Sequence, residues 1–289
     1  MSQFNGVAPA HQQVWDMRAA GNFIGGGSGT GLLCVAAFAS RGGNPHPELV
    51  IAGLALVALG LMSVFFEIGR PLRAANVLLG LKYSWMTREA LFAVPLFGAG
   101  LVALWVPQVT VLVSIPAIAY LYCQARILNA AKGIPAWREP VLLPLILATG
   151  LTEGAGLLML AAPLLTHVPD WAGAALMVAV VLRLLVWMIY RRRMSTGAAP
   201  AEAAQVLVAF SMPFQLAGGI IPVGLVLLAG LMPDLAAPAA AAAGLAAAAS
   251  GWWLKATIVT KAAFNQGYAI PHAPTRGAGR PGPGAAPGW

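Results

Sequence analysis

The densest group of residues that could carry chemistry lies around the link between two apolar stretches. It comprises Glu67 to Arg73 and, after a short linker, Ser84 to Glu89. Because the two stretches would run antiparallel, Glu67 and Glu89 are expected at similar depth, beside several arginines. Burial raises the pKa of a carboxyl group and a neighbouring arginine lowers it, so such a site can hold a carboxyl that exchanges protons. Quinone chemistry requires such groups, because each turnover moves two protons together with two electrons.

The same residues have a structural interpretation. Charged loops are common at membrane surfaces, where arginines act as interfacial anchors. On this interpretation Glu67 and Glu89 are salt-bridge partners of those arginines, and spacing alone does not decide between the two.

The composition identifies the elements that must position these residues. The chain has 289 residues, of which 59% are hydrophobic and 9% charged, and its mean hydropathy is +0.78. An ordinary soluble domain carries about a quarter charged residues, so a water-soluble globule is excluded. Many apolar runs reach the roughly 20 residues that a helix needs to cross a bilayer, and they are continuous, unlike the alternating strands of a barrel.

The runs predict an all-α polytopic membrane protein with eight transmembrane helices in two four-helix halves. The halves are residues 1–134, with the candidate quinone site, and residues 135–270, followed by a Pro/Gly-rich tail at 271–289 that is expected to be flexible. The predicted spans are Ala19 to Ala39, Leu49 to Phe66, Thr87 to Val106, Val109 to Ile127, Val141 to Ala162, Trp171 to Tyr190, Ala203 to Leu231 and Ala236 to Thr260.

Residues that bind metals or haem are poorly placed in this chain. Cys34 and Cys123 are the only cysteines, both inside apolar runs, and the four histidines fall outside those runs. We therefore expect neither haem nor a metal centre in this subunit. Nucleic acid is not an expected partner.

Two further polar features lie inside or beside the spans. The run from Trp15 to Asn22 enters the first span, where Asn22 could offer its amide to a quinone carbonyl, although Trp15 and its neighbours could equally be interfacial anchors. Glu153 and Arg183 lie deep in the fifth and sixth spans, at depths that predict a pair, either as a structural salt bridge or as a proton relay.

Glycines recur at every fourth residue of the first span, at positions 21, 25 and 29. Such a face lets another helix or a flat ring approach the backbone closely, and we expect helix packing there. The prolines at positions 144, 213 and 222 are expected to kink their helices.

Basic residues are strongly asymmetric across the predicted spans. The positive-inside rule places the side that carries 15 of the 17, with both termini, in the cytoplasm of a bacterial cell. Alternatively, this basic face docks an acidic partner. The 15 residues are Arg18, Arg70, Arg73, Lys82, Arg88, Arg126, Lys132, Arg138, Arg191, Arg192, Arg193, Lys255, Lys261, Arg276 and Arg280.

The two charged motifs, Glu67 to Arg73 and Ser84 to Glu89, in an eight-span chain, resemble the membrane anchor subunits of the dimethyl sulfoxide reductase and polysulfide reductase type. The resemblance implies a subunit that exchanges electrons between the membrane quinone pool and an iron–sulfur subunit, which is linked to a molybdenum or tungsten catalytic subunit. It implies Glu67, Arg73 and Glu89 as the reacting residues at the quinone. In dimethyl sulfoxide reductase anchors the first of these positions is usually His. Further expected quinone contacts are Asn22, Arg70, Trp85 and Arg88.

In the anchors that the chain resembles, the iron–sulfur subunit usually lies outside the cytoplasm, so the basic asymmetry here predicts the inverted arrangement. That orientation fits an intracellular substrate such as an acyl-coenzyme A thioester. The run from Phe4 to Phe23 is similar to the membrane subunit of phenylacetyl-coenzyme A:acceptor oxidoreductase. The alternatives are a secondary transporter, a structural scaffold, or an anchor whose reductase faces outward.

Overall fold

Over the residues that the structure describes, the architecture is all-α, with eight helical stretches long and apolar enough to span a membrane. The computed structural model describes residues 5–41, 45–66 and 80–270. The helices are α1 (Met17–Ala39), α2 (Pro47–Phe65), α3 (Trp85–Trp105), α4 (Thr110–Ala130), the short α5 (Pro135–Arg138), α6 (Leu142–Ala161), α7 (Ala172–Arg193), α8 (Ala201–Gln215), α9 (Ile221–Leu231) and α10 (Ala236–Thr260).

The predicted spans are confirmed, each end lying within three residues of the expected position. The seventh span consists of α8 and α9, joined by a π-helical turn at Leu216–Ile220. Pro213 and Pro222 flank this turn. Because proline has no N–H, each removes one helical hydrogen bond, which explains the interruption.

The first four and the last four spans, the two predicted halves, pack into one bundle, and its division into halves stays a prediction. In the first, α1 packs against α2 and α4, while α3 packs against α4 and α2. In the second, α6 packs against α7 and α10, and α9 packs against α10. The halves meet where α1 contacts α6 and α10 and where α4 contacts α6. Helix α1 is therefore at the centre of the bundle.

Glycines allow α1 to approach its neighbours so closely. A Cβ on Gly25 or Gly29 would collide with the backbone of α2, and a Cβ on Gly31 would collide with the Gly150 carbonyl of α6. The expectation that this glycine face packs against helices is confirmed.

Helix α1 begins at a charged cap. Asp16 accepts the backbone N–H of Arg18 at 2.7 Å, and the Arg18 guanidinium pairs with the same carboxylate at 2.8 Å. The side-chain hydrogen bond from Arg18, followed by the backbone one, lowers the pKa of Asp16 below its usual value. This cap fixes the start of the helix that carries Asn22.

Two three-residue strands join the ends of the described chain, a feature that the sequence did not predict. Strand β1 (Asn5–Val7) pairs antiparallel with β2 (Tyr268–Ile270). The Gln12 N–H extends the contact by donating to the Ala263 carbonyl at 2.9 Å. The segments before α1 and after α10 therefore lie on the same side of the bundle.

Candidate functional site

A small pocket opens beside the N-terminal part of α1, on the side where both chain ends lie. Its volume is about 150 Å³, and we call it the ring-sized pocket. An engineered protein cavity of ~150 Å³ binds benzene, so this volume accepts one six-membered ring. The lining residues are Trp15, Ala19, Asn22, Phe23, Val64, Met86 and Ile127.

Asn22 is the polar residue of the lining. It is buried, and its Nδ2 donates to Glu89 Oε1 at 3.2 Å. An amide nitrogen carries two N–H groups, so one remains for a ligand. Within the part of the chain that the structure describes, Asn22 Oδ1 has no hydrogen-bond partner. A buried polar atom without a partner costs free energy unless a ligand or water satisfies it.

Glu89 lies directly behind Asn22. Only 4% of its surface is exposed, and the side chains of Gln124 and Tyr120 flank its carboxyl group. Gln124 Nε2 donates to the backbone carbonyl of Asn22 at 2.9 Å. Gln124 Oε1 meets no donor among the described residues. The Glu89 carboxyl group is thus surrounded by polar side chains, and Asn22 lies between it and the ring-sized pocket.

Gln124 and Tyr120 were missed by the sequence analysis. They lie four residues apart in α4 and therefore share one face of that helix. Two hydrogen-bonding side chains at this spacing in an apolar run are the signal that could have identified them.

The wall of the pocket is fixed by aromatic stacking. Trp15 stacks on Trp137, with ring centres 4.8 Å apart, and the Trp137 indole N–H donates to the Ile258 carbonyl at 2.8 Å. Gln12 Nε2 donates to the Trp15 carbonyl at 2.7 Å. The chain ends therefore position the aromatic ring at the mouth of the pocket.

Trp85 and Arg88 lie beside the pocket but do not line it. The Arg88 guanidinium donates to the carbonyls of Leu81 and Lys82, which fixes the loop before α3. The guanidinium carbons of Arg88 and Arg126 lie 4.2 and 4.8 Å from the centre of the Trp85 ring, in cation–π contact. Contact between a quinone and Trp85 or Arg88 stays a prediction.

Three of the predicted site residues, Glu67, Arg70 and Arg73, lie outside the described residues, as does the tail at 271–289. Their predicted roles stay predictions. Of the predicted set, the structure brings Asn22 and Glu89 into direct contact.

A second polar group, which we call the ion cluster, lies in the bundle interior where the halves meet. Glu153 Oε2 accepts hydrogen bonds from Lys255 Nζ at 2.6 Å and from Ser28 Oγ at 2.8 Å. The Trp252 indole N–H in turn donates to Ser28 Oγ at 2.8 Å. Glu153 and Lys255 are completely buried.

The assignment of Lys255 to the basic face was wrong. It lies five residues before the end of α10, and on sequence alone that position looked interfacial. Helical side chains tilt toward the N-terminus of their helix, which for α10 is the opposite side of the bundle. The side chain of Lys255 therefore points inward and reaches Glu153.

The structural salt bridge predicted between Glu153 and Arg183 was wrong, although both residues are buried, and a proton relay between them stays a prediction. Arg183 donates to the carbonyls of Ala247 and Gly218, at 2.9 and 2.7 Å. Pro222 has no N–H to bond the Gly218 carbonyl four residues earlier, so that oxygen is available to the guanidinium. Glu153 interacts with Arg183 through its charge, without a salt bridge.

Comparisons with known protein families and with curated proteins find no match to this sequence. The functional interpretation therefore depends on the geometry of the two polar groups described above.

Proposed function

We propose that this chain is a quinone-binding membrane anchor of a molybdenum or tungsten oxidoreductase, exchanging electrons between membrane quinones and a docked iron–sulfur subunit. One observation carries the proposal: a ring-sized pocket contains a buried amide that is hydrogen-bonded to a buried carboxyl group. That combination suits a flat ring with polar oxygens that gains and loses protons.

The volume of the pocket fits the ring of a quinone better than a complete drug-sized ligand. Sites for drug-sized molecules measure roughly 300 Å³ or more, so a volume of about 150 Å³ holds a ring and leaves a long tail outside. Val64, Met86 and Ile127 form an apolar part of the lining against which such a tail can leave toward lipid.

The polar groups fit both redox forms of such a ring. A bound quinone supplies two-electron, two-proton redox chemistry. The remaining N–H of Asn22 can donate to a carbonyl oxygen, and its Oδ1 can accept from a hydroxyl group. Glu89, through its contact with Asn22, can hold or release a proton beside the ring.

The basic face supports the docking of a partner. A polar groove of about 690 Å³ lies on this face, with Lys132 and Arg138 in its lining. Arg193, also on this face, pairs with Glu139 of the groove. Positive charge on one face attracts an acidic protein and orients it. We propose the cytoplasmic face of a bacterial cytoplasmic membrane for this surface, following the positive-inside rule.

Quinone binding can be tested on the purified full-length protein in detergent. Because Trp15 lines the pocket, decylubiquinone should quench tryptophan fluorescence saturably. Ala19→Met, which fills the pocket, should weaken binding at least about tenfold, which corresponds to about 1.4 kcal/mol. Gly98→Met is the matched control, because nothing lies within 4 Å of the position where its Cβ would stand. Unchanged affinity of the Ala19 variant would exclude this pocket.

The partner can be tested by purification at native expression level in mild detergent. We expect an iron–sulfur protein and a protein that contains molybdenum or tungsten to accompany the chain, detected by metal analysis and electron paramagnetic resonance. Purification of the chain with neither protein, under conditions that keep it folded, would contradict the anchor proposal.

A secondary transporter is the second candidate, and one observation favours it. The seventh span is interrupted between α8 and α9, as helices are at many transporter binding sites. However, Arg183 of the same chain donates a hydrogen bond to the Gly218 carbonyl at this interruption. The interruption therefore has a partner within the protein, which ranks the transporter second.

A further inference from the structure

The ion cluster contains more positive than negative charge. Within the described bundle interior, Glu153 faces two cations, Lys255 and Arg183, and all three side chains are completely buried. Buried charges are stable only when they are balanced. Arginine does not lose its proton in proteins, so Lys255 is the group that can restore the balance. Once Lys255 is neutral, the charges of Glu153 and Arg183 cancel.

The end of the Lys255 side chain lies against Gly27 of α1, in the first half of the bundle. Its Nζ and Gln124 Oε1 both lie within 4 Å of the position where a Cβ on Gly27 would stand. Because Gly27 has no side chain, the Lys255 ammonium can lie on the side of α1 that faces Gln124. An ammonium has three donors on a flexible four-carbon stem, and Gln124 Oε1 meets no donor among the described residues.

Gln124 connects this space with the ring-sized pocket. Its side chain flanks the carboxyl group of Glu89, which is hydrogen-bonded to Asn22 in the pocket lining. Polar groups thus follow one another from the pocket to Lys255, across the contact between the two halves.

We propose that Lys255 is a proton carrier, which moves across Gly27 between Glu153 and Gln124 and delivers a proton to Glu89. This inference rests on the proposed quinone function. When a two-electron donor reduces a ring in the pocket, the ring takes up two protons. Glu89 gives one of them to a ring oxygen, and water at the mouth of the pocket supplies the other. From its position beside Gln124, which flanks the Glu89 carboxyl group, the Lys255 ammonium then returns one proton to the Glu89 carboxylate and becomes a neutral amine. When the ring is oxidised again, the proton returns from Glu89 to Lys255. Glu153 stays ionised and is balanced by Arg183.

The carrier can be tested by infrared difference spectroscopy. The full-length protein with bound decylubiquinone is reduced electrochemically, the electrode supplying the two electrons. We expect the carboxylate stretching band of Glu153, assigned by its loss in Glu153→Gln, to shift on reduction, because its cationic partner changes. In Lys255→Arg the positive charge and donors are kept but the proton is not released, so the shift should be lost.

A second variant keeps the test decisive if Lys255→Arg does not fold. Gln124→Leu removes the acceptor on the far side of Gly27, and it should also lose the Glu153 shift. Gln215→Leu is the matched control, because Gln215 lies in α8 and bonds within that helix to Ser211. That variant should retain the shift seen in the wild type.

The outcomes separate this inference from the proposed function. Fluorescence quenching first establishes whether decylubiquinone binds. Failure to bind would overturn the quinone proposal and the carrier with it. Binding with no change at Glu153, or a wild-type shift in a folded Lys255→Arg or Gln124→Leu variant, would overturn the carrier alone.

Discussion

At the scale of single residues, the ion cluster has an uneven distribution of charge that affects stability. One buried carboxylate, Glu153, faces the two cations Lys255 and Arg183. Removing the carboxylate leaves both cations without compensation, whereas removing Lys255 leaves a balanced pair. Substitutions of Glu153 and of Lys255 should therefore lower the free energy of unfolding by different amounts, although each breaks the same salt bridge.

We predict that Glu153→Gln lowers the free energy of unfolding by about 3–5 kcal/mol, the usual cost of leaving a buried charge unpaired. Lys255→Met should cost clearly less. Unfolding of the detergent-solubilised protein by denaturant titration measures both values, and Gln215→Leu serves as the control for a change elsewhere in the bundle. Equal losses, or a larger loss for Lys255→Met, would contradict this distribution of charge.

Asp16 gives a pH-dependent prediction. Its pKa is lowered in the folded state by hydrogen bonds from Arg18, so the cap stabilises the fold above the ordinary value of 3.8. That contribution is lost as the pH falls through the folded-state pKa. Asp16→Asn keeps a capping side chain that does not titrate.

The difference in Tm between wild type and Asp16→Asn should be constant between about pH 5 and pH 7, above the ordinary pKa of an aspartate. Below that range the wild type should lose Tm relative to the variant. A difference that stays constant down to about pH 3 would show that the Asp16 carboxyl does not contribute through its charge.

Residue types predicted part of the polar interior. Asn22 and Glu89 were identified because each lies where a polar motif enters an apolar run. The partner of Glu153 was assigned wrongly because depth along a helix does not reveal which way a side chain points. Lys255 has a long stem, and its direction depends on the packing of α10 against α6.

At the scale of elements, contacts between glycine backbones determine how closely the two halves pack. A Cβ on Gly154 of α6 would collide with the backbone of Gly31 and Leu32 in α1. Backbone atoms cannot move aside as a flexible side chain can. The closest contact between α1 and α6 therefore requires glycine on both helices.

We predict that Gly154→Ala lowers the free energy of unfolding by about 1–3 kcal/mol, as overpacking does in a well-packed core. Gly98→Ala in α3 is the matched control, since nothing lies within 4 Å of its added Cβ. It should be neutral, or stabilising by up to about 1 kcal/mol because alanine favours helix. A Gly154→Ala protein as stable as the Gly98 variant would show that α1 and α6 can separate without cost.

The helices themselves were predictable, because continuous apolar runs have the length that a bilayer requires. The pairing of β1 with β2 was not, because two three-residue strands far apart in sequence have no periodic pattern of their own. The interruption between α8 and α9 was indicated by its two prolines, while the role of the Gly218 carbonyl depends on the position of α7.

At the scale of the whole molecule, both ends of the described chain lie on one side of the bundle. The pairing of β1 with β2 and the bond from Gln12 to Ala263 require it. The ring-sized pocket opens on that side, and the basic groove with Lys132 and Arg138 lies there as well. The direction in which this side faces therefore determines where a partner subunit would dock.

We predict that this side faces the cytoplasm, because the basic residues concentrate there. Lys255 is buried in the bundle interior and does not belong to this basic group, but the asymmetry of the other basic residues remains. A fluorescent protein fused after Trp289 should be bright and alkaline phosphatase at the same position inactive. Fusions after His167, in the link between α6 and α7 on the opposite side, should give the reverse result.

The two fusion sites together separate the alternatives. Bright fluorescence at both positions would contradict the arrangement of spans, because α6 starts on the side of the chain ends and crosses the bundle before residue 167. An active phosphatase after Trp289, with fluorescence after His167, would place the chain ends outside the cytoplasm. The basic face would then be a docking surface whose charge does not report topology, and an outward-facing reductase would replace the intracellular complex.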